Sequence, residues 1–113
     1  MKFHGVNLGD QLKHMREVAP EAFRAFIEFD KQAFAEGALP KKTKELIGLA
    51  VAQITQCPWC IDVHSNNAVK AGASDAEIAE VTFVAMAMAA GAAWAHGGLT
   101  LQCVEGHRDQ QPA

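Results

Sequence analysis

The chain has 113 residues, half of them apolar and 20% charged, with a net charge of −3. That length fits one domain, residues 1–113, because two separate cores would each fall near the lower size limit for folding, and the composition is that of a globular chain rather than a disordered one. Lys and Arg are scattered singly, so there is no basic stripe to neutralise a phosphate backbone and nucleic acid is not expected as a partner.

Twenty-one alanines, no tyrosine and few β-branched residues predict an all-α fold, a single compact helical domain of about five or six helices. Residues 1–19 read as a short helix with a frayed start. Pro20 suits the first turn of a second helix, which is expected to run to Glu36 and to be followed by the stop Gly37 and the turn Ala38-Leu39-Pro40. Phe23, Phe26, Ile27 and Phe34 recur on it at near-helical spacing and are read as packing. A third helix, Lys41 to Thr55, opens with exposed lysines and then turns apolar, so it should be largely buried. The break at Gln56-Cys57-Pro58 starts a fourth helix that ends near Gly72. Ser74-Asp75-Ala76-Glu77 has the form of a capping box and starts a fifth helix at Asp75. That helix should reach about Ala89, with Gly91 a bend or break before a last helix through Val104 and a loose polar tail from Gly106 to Ala113.

Val81 to Val104 carries no formally charged residue and is about long enough to cross a bilayer. It is built from Ala and Gly, however, with few large apolar residues to drive insertion. A helix buried in the core or between subunits is the preferred reading, and no membrane partner is expected. The N-terminus lacks the apolar core of a secretory signal, which predicts a cytoplasmic protein, and three cysteines in a reducing compartment point to catalysis or metal binding rather than a structural disulfide.

Cys57-Pro58-Trp59-Cys60 carries the chemistry. Two thiols three residues apart at a helix start can close a disulfide with little backbone movement. Pro58 at the first helical position makes Cys57 the N-cap and puts Cys60 in the first turn, where the positive helix end favours a thiolate. His64 follows Cys60 by four residues and shares its helical face, as a general base beside a nucleophile should. Glu45 stacks with Leu49 and Ala52 on the third helix. If the third and fourth helices fold back on each other, its carboxylate can orient the imidazole in a Glu–His–Cys relay. Taken singly, each feature has a structural explanation: cysteines as small hydrophobes, a histidine satisfied in place, a solvated glutamate. Asp62 and Trp59 point elsewhere on the wheel, Cys103 is read as packing, and His4, His14, His96 and His107 have no ligand spacing among themselves.

Glu45, Cys57-x-x-Cys60, His64, Ala68 and the helix end Lys70-Ala71-Gly72 together resemble the alkylhydroperoxidase D family of the carboxymuconolactone decarboxylase superfamily. The similarity covers roughly residues 39–95, including Glu77-Ile78-Ala79-Glu80. The resemblance implies an all-helical fold, assembly into trimers or hexamers, and antioxidant thiol chemistry. It makes Cys60 the residue that attacks a peroxide, Cys57 the one that resolves the sulfenic acid, and His64 and Glu45 the proton relay. The decarboxylase branch generally lacks the cysteine pair. Some members have a histidine where this chain has Trp59, so the relay here is expected to be shorter.

The expected function is therefore a peroxidase or disulfide reductase with a peroxide substrate, a thiol or lipoyl-bearing protein as reductant, and no cofactor or resident metal. Two other readings stand beside it: a zinc or other soft-metal site on Cys57, Cys60 and His64 with Cys103 or His96 as fourth ligand, and a non-catalytic oligomeric partner. Cys57 is expected to be the more exposed thiol and the one that meets a protein reductant.

Overall fold

In the computed structural model, which describes residues 2, 3 and 5–112, the chain is all-α apart from one short ladder. β1 (Lys2–Phe3) and β2 (Val6–Asn7) pair antiparallel in the register Lys2↔Asn7 and Phe3↔Val6. A helix with a frayed start does not fill this segment, because Gly5 takes φ +74° and turns the chain back on itself. Asn7 then caps α1 (Leu8–Val18), its side-chain oxygen accepting from the Asp10 amide at 3.3 Å. Pro20 opens α2 (Pro20–Phe34), which stops two residues short of Glu36.

The C-terminal end of α2 is tied down by lysines of α3 (Lys41–Thr55). Lys41 Nζ donates to the Phe34 carbonyl at 2.9 Å, and Lys44 Nζ to the carbonyls of Ala33 and Ala35 at 3.0 and 2.6 Å. Three orphan carbonyls at a negative helix end thus meet two ammonium groups. At the other end of α3, Gln56 closes the helix in the left-handed region (φ 57°, ψ 48°) and the Cys57 amide reaches back to the Ala52 carbonyl at 3.1 Å. That turn sets α4 (Pro58–Lys70) against α3. Gly72, at φ +88°, then redirects the chain towards α5.

α5 runs unbroken from Asp75 to Asp109, 35 residues. The capping box is present in both directions, Glu77 N to Ser74 Oγ at 3.1 Å and Ser74 N to Glu77 Oε1 at 2.9 Å. The break expected at Gly91 does not occur, nor does the loose tail from Gly106. A glycine costs a helix only about 1 kcal/mol relative to alanine, and the alanines around Gly91 carry the helix through it in the absence of a proline. Lys42 pairs with Glu77 at 2.9 Å and Gln53 donates to Thr82 at 3.0 Å, so α3 holds the first third of α5 as well as α4.

Among the described residues the buried positions are Glu45, Leu49, Ala52, Ala68 and Ala85. α3 is therefore less covered than its sequence implies: Glu45, Leu49 and Ala52 form its buried stripe, whereas Ile47, Val51 and Ile54 remain about half exposed. Ala85 is the one buried residue of α5, which is neither a core helix nor a covered one within a single copy. By length and composition it could cross a membrane. The radius of gyration of 20.0 Å exceeds the roughly 13 Å of a compact chain of about 100 residues, and in keeping with this α1 and α2 bury no residue and α5 buries only Ala85.

Candidate active site

Cys57 caps α4, its Sγ accepting from the Cys60 amide at 3.3 Å, and the two sulfurs are 2.6 Å apart. All three cysteines are free thiols. The electrostatics divide the pair. Hydrogen bonds from the Cys60 thiol and then from the Cys60 amide hold Cys57 below the usual thiol range. Cys60 is pushed up, first by serving as donor to Cys57, then by desolvation and by the negative charges of Cys57 and Asp30. Of the two, Cys57 is therefore the thiol that ionises more readily, not Cys60 as its place in the first turn suggests. Exposure is also reversed, Cys60 being exposed and Cys57 half-buried.

Opposite them, Glu45 is 0% exposed on α3, and its carboxylate is 2.6 Å from His64 Nδ1 on α4 and 3.0 Å from Lys41 Nζ. Burial pushes this carboxyl up, but the hydrogen bonds from His64 and Lys41 outweigh it and leave the group ionised, below the usual carboxylate range. An ionised carboxylate only accepts, so Nδ1 carries the proton and Nε2 is the ring atom left to take or give one. Phe34 stacks on the imidazole with centroids 4.7 Å apart and planes at 19°. The Phe34 ring can lie there because residue 48 is glycine: a Cβ at that position would sit 3.2 and 3.3 Å from two ring carbons and 3.5 Å from His64 Cγ.

Cys60 and His64 line one cavity of about 390 Å³, whose other walls include Phe34, Leu39, Ile47 and Val51. The expected residues Glu45, His64, Cys60 and Cys57 therefore gather at one place, Cys57 on the side of the pair away from the cavity. Phe34, Lys41 and Gly48 also belong to the site, although the sequence pattern reads Phe34 as packing and Lys41 as an exposed lysine; the Phe34–His64 ring contact and the Lys41 bond to the Phe34 carbonyl exist only once α2 and α3 are docked. Among the described residues no three His, Cys, Asp or Glu side chains are grouped to hold a metal, so the zinc arrangement with Cys103 or His96 is not formed. His4 lies outside the described residues.

Residues 20–99, more than half of the chain, match the carboxymuconolactone decarboxylase family. The chain belongs to that family. A curated relative from Paracoccus denitrificans, "Uncharacterized protein 4 in cox locus", is 48% identical over 81 residues, 72% of this chain and 73% of that one. The solved structure of a carboxymuconolactone decarboxylase family protein from Legionella pneumophila superposes with a TM-score of 0.69 at 41% identity, covering 72% of each chain. Alkyl hydroperoxide reductase AhpD of Coxiella burnetii is 43% identical over 51 residues, 45% of this chain but 29% of its own length. The family also contains decarboxylases, so membership fixes the fold and leaves the reaction to the site.

Proposed function

We propose that this protein is a thiol-dependent antioxidant oxidoreductase of the alkylhydroperoxidase type, in which Cys57 and Cys60 reduce a peroxide while Glu45 and His64 handle the proton. The observation that carries the reading is the adjacency of a thiol pair and a carboxylate-held imidazole, Cys60 and His64 sharing one apolar cavity. The partial likeness to AhpD supports it.

Each sulfur of the reduced pair carries a proton, and the Cys57 thiol is the more readily ionised. His64 Nε2 takes the proton of Cys60, and the resulting thiolate attacks a peroxide oxygen. The O–O bond breaks, sulfur is oxidised to a sulfenic acid, and the leaving alkoxide departs as an alcohol with the proton from His64. Cys57 then attacks the sulfenic sulfur, forming the disulfide and releasing water. Two thiols and one peroxide give one disulfide, one alcohol and one water. A thiol or lipoyl-bearing protein, exchanging at Cys57, restores the pair.

The same reading makes the protein a cytoplasmic homo-oligomer, a trimer or hexamer by resemblance, with other copies rather than lipid covering α5. Phe83, Met88, Trp94 and Leu101 of that helix are each at least 65% exposed in one copy, more large apolar surface than a lone chain of this size keeps in water. One equivalent of an organic hydroperoxide added to the reduced protein should remove two of the three thiols per chain and leave Cys103 titratable. Loss of no thiol over the same interval would remove the proposal.

A further inference from the structure

We infer that Lys41, at the start of α3, is a positioning residue for the proton relay: it holds both groups that fix the His64 imidazole and sets how tightly the Glu45–His64 pair keeps its proton. The inference rests on the reading of that pair as the relay.

The geometry converges on one ammonium. Lys41 Nζ lies 3.0 Å from Glu45 Oε1 while the other oxygen of the same carboxylate, Oε2, takes His64 Nδ1 at 2.6 Å. The same Nζ donates to the Phe34 carbonyl at 2.9 Å and stands 5.3 Å from the centroid of the Phe34 ring, which stacks on His64. Lys41 therefore reaches the imidazole by two routes, through the carboxylate that orients its Nδ1 and through the ring that covers its face. Lys41 is about half exposed while Glu45 is fully buried, so the lysine is the edge at which the buried charge network meets solvent.

The electrostatic consequence has a definite sign. A buried carboxylate shared between an ammonium and an imidazole stabilises the protonated imidazole less than one that faces the imidazole alone. Removing the ammonium leaves the carboxylate buried with one partner, so the pair binds its proton more strongly and its apparent midpoint rises. The other charged groups around the pair do not duplicate this role. Lys44 of α3 is spent on the α2 carbonyls, Asp30 of α2 acts on Cys60, Cys57 contacts the Cys60 sulfur, and Glu77 of α5 pairs with Lys42.

The test is an NMR titration of the His64 ring in the reduced full chain, beside the pH profile of peroxide-driven thiol oxidation, for Lys41→Gln, Lys41→Met, Lys41→Arg and Lys44→Met. Lys41→Gln and Lys41→Met should both move the midpoint of the pair upward by about one pH unit, the scale of an opposite charge within a few ångströms of a carboxylate. Lys41→Arg should restore the original midpoint. Lys44→Met frees the Ala33 and Ala35 carbonyls that flank Phe34 but leaves both oxygens of Glu45 their partners, so it should move the midpoint much less than either Lys41 variant. An unmoved midpoint in both Lys41 variants, or an equal shift in Lys44→Met, overturns the inference. The NMR midpoint is read without any turnover, so a shift there together with absent peroxide reduction sinks the proposed function and leaves the role of Lys41 on the pair standing.

Discussion

The two ends of α3 and the far half of α5 solve opposite problems. Around α3, a single copy supplies every partner its buried charge needs: Glu45 is fully enclosed, yet Lys41 and His64 both reach it, and Phe34 and Gly48 close the face of the imidazole. Along α5 beyond Ala85 the same copy supplies almost nothing, and Met88, Trp94 and Leu101 stand open. The buried charge of Glu45 is met by two cationic or donor groups, whereas apolar burial is incomplete along α5. The contrast separates what one copy completes from what it leaves open, because an unpaired buried charge is costly in any state whereas an apolar face can stay exposed until something covers it.

The sharpest way to break the first half of the comparison is Glu45→Gln. The amide keeps the shape but loses the charge that holds Nδ1–H, and the oxidation rate at pH 7 should fall by roughly 10²- to 10⁴-fold, the usual worth of general-base catalysis. Stopped-flow thiol oxidation reads this directly, and an unchanged rate would make Glu45 structural. The second half is tested by Met88→Glu. Met88 is 70% exposed and borders an apolar groove between α3 and α5, so a carboxylate there costs a lone copy little. If another copy covers the groove, the buried unpaired charge should weaken assembly by roughly a hundredfold or more in Kd. Light scattering at micromolar concentration should then show a smaller species than the parent, and identical masses would place the interface elsewhere. A smaller effect is expected from Gly48→Ala. Its new methyl crowds the Phe34 ring at 3.2 Å, while the better helix propensity of alanine compensates by up to about 1 kcal/mol. Stability by denaturant titration should change little and the oxidation rate should drop several-fold. A large loss of stability with an unaltered rate would mean that the stacked ring serves packing alone.

Local chemistry was the legible part of this sequence. Ser74 and Glu77, Pro58 after Cys57, and the limits of α3 rest on contacts within a few residues, and the structure has them where the pattern puts them. The stripe of Glu45, Leu49 and Ala52 was legible for the same reason, since residues three and four apart share a helix face. What failed depended on neighbours distant in sequence. Gly91 reads as a break only if its own cost is weighed and the surrounding alanines are not. The order of the two thiol pKa shifts depends on the close sulfur–sulfur contact and on the Cys60 amide that Cys57 accepts, geometry that the motif alone does not give. Lys41 looked like a solvated first-turn lysine because its partners, the Phe34 carbonyl and a buried carboxylate oxygen, come together only when α2 docks on α3.

The central claim is that Cys60, the sulfur on the cavity beside His64, meets the peroxide and that Cys57, although the more readily ionised thiol, resolves it. The most direct measurement treats Cys57→Ser and Cys60→Ser, each fully reduced, with one equivalent of an organic hydroperoxide, and maps the sulfenic acid by trapping and mass spectrometry. Cys57→Ser should form a sulfenic acid on Cys60 rapidly, and Cys60→Ser should react little faster than an ordinary exposed thiol. A rapid sulfenic acid on Cys57 in the Cys60→Ser protein, with a slow Cys60 in the other, would contradict the account and reverse the two roles.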